Sequence, residues 1–199
     1  KPRGFDNAPT AQADLIGSGS AVFDGNNDNY ISVGNNFTGT DLDGNYSVAC
    51  WVKMDSSSYN TILGSGGSGQ NKNDYIQLIN KTTFRIKQGN TSGSGTLTHG
   101  HSFEEDEWHH FAMTRDADNS NTIKVYMDGV APTATITGAG TFSPDLIGGA
   151  GDSVEDFFDG NMAQLGIWDV VLTQEQIQSI KEKTYSELTT SEKANLISW

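Results

Sequence analysis

Short runs of alternating apolar and polar residues, each closed by glycine, asparagine or aspartate, dominate this chain and leave little room for helices. The clearest pair is Glu107 to Arg115, which contains Trp108-His109-His110-Phe111-Ala112-Met113-Thr114-Arg115, and Thr122 to Asp128. A period of two argues for half-buried strands, and Asp128-Gly129 supplies a tight hairpin turn towards Thr133–Thr137. The same pattern predicts a hairpin from Ala21-Val22-Phe23 and Tyr30-Ile31-Ser32-Val33, turning through Asp24-Gly25-Asn26-Asn27-Asp28. It predicts further strands at Tyr46–Met54, Tyr59–Leu63, Asp74–Ile79, Thr83–Lys87, Asp145–Gly149 and Asn161–Trp168. In the longest of these, Tyr46, Val48, Cys50 and Val52 share one face and Ala49 and Trp51 the other, so both faces are expected to be covered.

So many short strands with almost no helical period give an all-β fold, a two-sheet antiparallel jelly-roll sandwich. A short C-terminal helix is the exception. Thr173 and Gln176 form a capping box flanked by Leu172 and Ile177, and the helical pattern runs to about Lys183. Thr189 with Glu192 marks a second helix start before Leu196-Ile197-Ser198-Trp199. At 199 residues the chain suits one all-β domain, over 20–183, after a polar extension at 1–19 and before a C-terminal segment at 184–199.

Twelve basic against twenty-five acidic side chains give a net charge of −13. Such a surface repels phosphate backbones, which argues against nucleic acid as a partner. No apolar run is long enough to insert in a membrane. The single cysteine, Cys50, rules out an intrachain disulfide and is expected to be a buried small hydrophobe.

Five motifs occur in an order that resembles the laminin-G-like, concanavalin A-like jelly-roll family. They are Ala21-Val22-Phe23-Asp24-Gly25 with Asp28 and Tyr30; Tyr46 to Lys53 around Trp51; Trp108-His109-His110 with Tyr126-Met127-Asp128-Gly129; Phe157-Phe158-Asp159-Gly160 through Trp168; and Leu172 to Ile177. The resemblance covers roughly residues 20 to 182. It implies a non-catalytic recognition or adhesion module of a larger protein, extracellular or on a virion surface. Its partners would be a glycan or cell-surface polysaccharide and neighbouring modules or subunits. A purely structural spacer is the alternative, and a polysaccharide-cleaving enzyme a further one. Relatives usually begin with a strand like Leu-Val-Ser-Trp-Trp, which here has a counterpart only at Leu196–Trp199. Either a similar module starts there or that strand folds back onto this domain's own sheet.

Sugar recognition asks for an exposed aromatic ring beside amide and carboxylate groups, because pyranose faces are apolar and their edges polar. Tyr59-Asn60 and Asn73-Asp74-Tyr75 around the first Gly/Ser loop meet that description. Trp51, Trp108 and Trp168 are expected in the interior. Calcium takes oxygens from several loops, and Asp24, Asp28 and Asp159 are the expected ligands of a structural calcium ion, which the resemblance also implies; Asp152–Asp156 is another source. His109 and His110 are neighbours on a strand, point to opposite faces and cannot share an ion. His99 and His101 fall on one side of an extended segment, a transition-metal arrangement in outline. A retaining glycosidase needs two carboxylates about 5 Å apart. The one dense acidic run, Glu104–Glu107, precedes a strand and is expected to be solvated.

Overall fold

The computed structural model describes residues 19–26, 29–33, 42–56, 59–66, 74–89, 95–150 and 157–199. In chain order its strands are β1 (Ala21–Asp24), β2 (Ile31–Ser32), β3 (Tyr46–Met54), β4 (Asn60–Gly64), β5 (Tyr75–Asn80), β6 (Thr83–Lys87) and β7 (Gly95–Thr98). They continue as β8 (Trp108–Asp116), β9 (Thr122–Met127), β10 (Ile136–Thr137), β11 (Leu146–Ile147), β12 (Asp159–Trp168) and β13 (Leu196–Ser198). Two antiparallel sheets result. The first, sheet A, runs β1-β12-β3-β8-β9-β10, with β13 also on β12; sheet B runs β2-β11-β4-β5-β6-β7.

Alternation decides what lies between the sheets. The even residues of β3 from Tyr46 to Met54, with Phe111 and Met113 of β8 and Ile123, Val125 and Met127 of β9, meet Ile62, Ile76, Leu78, Phe84, Ile86 and Leu97 of sheet B. Each large side chain buried there contributes about 1.5–3 kcal/mol. Cys50 is fully buried in this layer, and burial pushes its thiol pKa up, so it is packing material rather than a nucleophile.

The expected hairpin between β1 and β2 does not form. β1 pairs with β12 in sheet A, whereas β2 pairs with β11 in sheet B. Their connection crosses from one sheet to the other, a jelly-roll step that alternation cannot distinguish from a hairpin. The β8–β9 hairpin forms as expected, from Phe111 opposite Met127 to Asp116 opposite Thr122. The strand expected after its Asp-Gly turn shrinks to Ile136–Thr137.

The outer face of sheet A carries a third layer, formed by residues 173–199 and called the arm here. It contains helix α1 (Gln174–Ile180), a 3-10 turn (Tyr185–Glu187), a second helical turn α2 (Thr190–Lys193) and β13. The capping boxes at Thr173 and Thr189 both form. Small residues on the sheet, Ala49 and Ala112, let Leu172, Ile177, Ile180 and Leu188 pack close around Trp168. Trp51 Nε1 donates to the Lys181 carbonyl at 3.2 Å, and Trp168 Nε1 to the Glu192 carbonyl at 2.7 Å. All three interior tryptophans are thus buried, in the layer beneath the arm. Three donors tie the arm to the turn that follows β9: Gln174 and Gln178 to the Gly129 carbonyl, and Lys181 to that of Asp128. Leu196–Ser198 pairs back onto β12, the second of the two alternatives for that segment. Among the described residues no helix is long and apolar enough to cross a membrane.

One ion pair closes the arm. Lys183 Nζ donates to both Glu192 oxygens, at 2.6 and 2.8 Å, and to Ser179. Burial alone would raise the Glu192 pKa, but hydrogen bonds from Lys183, Ser179 and Thr189 outweigh it and hold the carboxyl at about 2. This depressed value stabilises the fold above the unfolded carboxylate pKa, and the contribution fades as pH falls towards 2. Glu192→Ala strands a shielded ammonium and is expected to cost about 2–3 kcal/mol. That loss lowers the melting temperature by roughly 4–12 °C; an unchanged melting temperature would show that the pair contributes nothing.

Candidate functional site

Tyr59 and Tyr75, expected to flank one loop, stand at opposite ends of the β4–β5 hairpin. Asn60 pairs with Leu78 and Gly64 with Tyr75, so roughly 14 Å of strand separates the two rings. The expected sugar constellation is therefore split. Asp74 is buried, and its carboxylate accepts the Gly89 and Ser143 N–H groups, pinning two loops. Asn60 is fully buried as well. Its amide donates to the Ser56 carbonyl and its oxygen accepts the Asp159 N–H, both at 2.7 Å, tying sheet B to sheet A. Neither side chain is presented to a ligand, which corrects the expectation for both. Asn73 lies outside the described residues.

Tyr59 is different. It is 46% exposed and has φ of 53°, a costly conformation for an aromatic residue that the surroundings must enforce. The Asn60 tie places it at the end of sheet A where several carboxylates collect. Asp24 ends β1 directly opposite Asp159, which begins β12. The Asp55 N–H donates to the Asp159 carbonyl at 3.0 Å, and the Asp106 N–H to that of Met54 at 2.8 Å. Topology thus lines Asp24, Asp159, Asp55 and Asp106 along one rim.

Directly opposed residues project from the same face of a sheet, so Asp24 and Asp159 put like charges side by side, which is unfavourable unless compensated. Among the described residues no lysine or arginine forms an ion pair with either. Gly25 lies under the Asp159 carboxyl, where a Cβ would come within 3.2 Å of Asp159 Cβ and Cγ. The Asn26 N–H, donating to Asp24 at 3.1 Å, heads the causes that hold the Asp24 pKa below the usual carboxylate range. Two carboxylates over a glycine suit a hard cation, which takes six to eight oxygens in all. Asp28 and the acidic loop 151–156 lie outside the described residues, and among the described ones no three metal-binding side chains come together.

Hydrogen bonds account for His99 and His109. His99 Nδ1 accepts the His101 N–H at 3.0 Å, so the proton sits on Nε2 and is shared with the Val130 carbonyl at 3.3 Å. Both nitrogens are occupied, which removes His99 as a metal ligand. His109 Nδ1 lies 2.8 Å from Asp128 Oδ2, the pairing seen in acid–base dyads. Its Nε2 accepts the Glu104 N–H at 3.0 Å, so no lone pair is left for a substrate, and the ring stacks on Phe103. His110 points to the opposite face and meets Trp51 edge to face, as strand geometry requires. Glu104 is exposed and paired with Lys81, which lowers its pKa, the reverse of what a general acid needs.

The sequence reading missed a concavity on the other half of the outer face of sheet A. Thr114, Asp116, Thr122 and Lys124 floor it, next to residues 131–135 and 171–174. The signal was present in the polar outward positions of β8 and β9.

A family model described as the concanavalin A-like lectin/glucanases superfamily matches residues 24–178. The chain belongs to that superfamily. A comparison with curated protein sequences found no match. Solved structures share the lectin-like fold at low identity. A candidate carbohydrate-binding protein of Bacteroides ovatus is 20% identical with a TM-score of 0.62, over 86% of this chain and 48% of that one. The chain thus spans about half the length of that protein. CBM40 of the Ruminococcus gnavus IT-sialidase is 17% identical with a TM-score of 0.56, over 77% of this chain and 97% of that one. Domain 4 of an extracellular GH43 arabinanase of Geobacillus stearothermophilus, in complex with arabinotriose, is 22% identical with a TM-score of 0.53, over 80% and 75%.

Proposed function

We propose that this lectin-like domain is a non-catalytic carbohydrate-recognition module of a larger extracellular or virion-surface protein, reaching its glycan through the rim that carries Tyr59. The observation behind this reading is the exposed, conformationally constrained Tyr59 ring at the same strand ends as Asp24, Asp55 and Asp159. An aromatic face beside carboxylates provides the apolar platform and polar edge that a sugar ring requires. The carbohydrate-binding neighbours support the ligand class. The fully occupied His109 supports binding over hydrolysis. A calcium ion held by Asp24 and Asp159 supplies the compensating charge and steadies the rim.

A glycan array probed with and without a chelator tests this. Specific hits are expected, weakened more than tenfold by Tyr59→Ala, and weakened by chelation to the level of Asp159→Asn. Added calcium should stabilise the unaltered protein and not Asp159→Asn. A blank array would overturn the reading in favour of a structural spacer, and hits indifferent to Tyr59 would remove the rim.

A further inference from the structure

The arm roofs only part of the outer face of sheet A. On β8 and β9 the outward positions form three cross-strand rungs: Ala112 opposite Tyr126, Thr114 opposite Lys124, and Asp116 opposite Thr122. The first rung is apolar and packs beneath Leu172 and Ile177. The next two carry hydroxyls, a carboxylate and an ammonium, and over them the roof stops. They floor a cleft of about 340 Å³, walled by Pro132 and Thr135 on one side and Leu172 and Thr173 on the other. That volume sits at the small end of ligand sites, room for about one or two sugar rings but not for a folded partner.

The groups in the cleft retain unused hydrogen-bonding capacity. Lys124 is exposed and forms no ion pair among the described residues, although Asp116 lies one rung away. Asp116 gives one oxygen to the Asn119 N–H at 3.1 Å, and a carboxylate has further lone pairs to offer. Thr122 donates its hydroxyl to the Asn119 carbonyl and keeps acceptor capacity. Thr173 accepts the Gln176 N–H at 3.2 Å and its hydroxyl faces the Glu175 carboxylate, so it serves as wall rather than as donor. Donors and acceptors therefore alternate over a few ångströms beside the apolar faces of Pro132 and Val171. That is the complement of a polyol with an apolar ring face. With a net charge of −13 the domain disfavours polyanions, so the fitting ligand is neutral or carries one charge.

We infer that this cleft is a second saccharide subsite, in which Asp116 accepts from ring hydroxyls and Lys124 donates to a ring or hydroxyl oxygen. The inference rests on the reading of the domain as saccharide-binding, but it concerns the far end of sheet A. The rim adjoins the start of β8 and the cleft its end, roughly 27 Å apart along the strand.

Amide NMR titrations of the full chain with free galactose, N-acetylglucosamine and glucuronic acid, each into the millimolar range, test it. Perturbations are expected at residues 114–116 and 122–124 with at least one sugar. Asp116→Asn combined with Lys124→Ala, at solvent-facing positions, should weaken that response more than tenfold, as the loss of two charge-assisted hydrogen bonds implies. The amides of Gly25 and Gly160 at the rim should respond as in the unaltered protein. If the double variant perturbs the fold, the single variant Lys124→Gln, which keeps the stem of the side chain, should show the same selective loss. Shifts confined to the rim, or array hits without any response in the cleft, would overturn the subsite and leave the recognition reading standing. A blank array together with silent titrations would overturn both.

Discussion

Replacing Gly160 with alanine is expected to destabilise the domain by about 4 kcal/mol, enough to lower its melting temperature by roughly 8–16 °C. Gly160 sits at the start of β12, between Phe23 of β1 and Met54 of β3. Its φ is +134°, a region essentially restricted to glycine. An added Cβ would lie 2.0 Å from the Lys53 carbonyl oxygen and 3.0 Å from Met54 Cα. Both obstacles are backbone, so no side chain can swing away, and relief requires moving β12 off β3 in the middle of sheet A. Urea unfolding measures this directly, with an unchanged slope if the unfolded state is unaffected. A loss below about 1 kcal/mol would mean that the strand spacing there is looser than described. Because Asp159 is the preceding residue, the variant should also lose any calcium-dependent stabilisation of the rim.

The second large effect is acid lability between pH 6.5 and 4.5. His110 is buried against Trp51 with Nδ1 unpartnered, and desolvation is the main cause that lowers its pKa to about 3, Lys181 adding to it and Asp128 opposing. The unfolded imidazole takes up a proton near pH 6.5, whereas the folded one stays neutral. The unfolded state then binds more protons, so stability is lost as the solution is acidified, by about 1.4 kcal/mol per pH unit, or nearly 3 kcal/mol by pH 4.5. His99, lowered first by burial, adds to the same slope. The stabilised carboxylates, Glu192 among them, lose their contributions only below about pH 4.5, whereas Glu182, raised chiefly by burial, works against the histidine slope inside the window. His110→Phe keeps an aromatic ring against Trp51 and should remove most of the slope. Acidification also relieves the self-repulsion of a chain with net charge −13. This relief opposes the histidine slope equally in both proteins, so a His110→Phe variant with the same pH dependence as the unaltered protein would contradict the burial assigned to His110.

How much of this was legible beforehand depends on whether the information is local. The β3 alternation, the Asp128-Gly129 turn and the Thr173 capping box are decided by a few adjacent residues, and each appears as expected. Pairing across sheets is not local. Ala21–Phe23 and Tyr30–Val33 carry the same signal whether they pair with each other or with β12 and β11. For the same reason Tyr59 and Tyr75 seemed close to one loop, although antiparallel pairing puts their strand starts at opposite ends. Nothing in the Ser-rich stretch before it says that Asn60 will be sealed between two sheets while Tyr59 stays outside. The cleft on β8–β9 was hidden for a different reason. Its polar rungs read as ordinary solvent-facing positions until the arm, about fifty residues later in the chain, is seen to stop above them.

The proposed module recognises a saccharide without cleaving it. The most direct measurement takes the strongest glycan from the array, end-labels it, and incubates it with the protein while following both retention and fragment length. Retention of the full-length glycan with no shorter products over prolonged incubation is the expected result. Release of labelled fragments, or no retention of any array glycan, would contradict it.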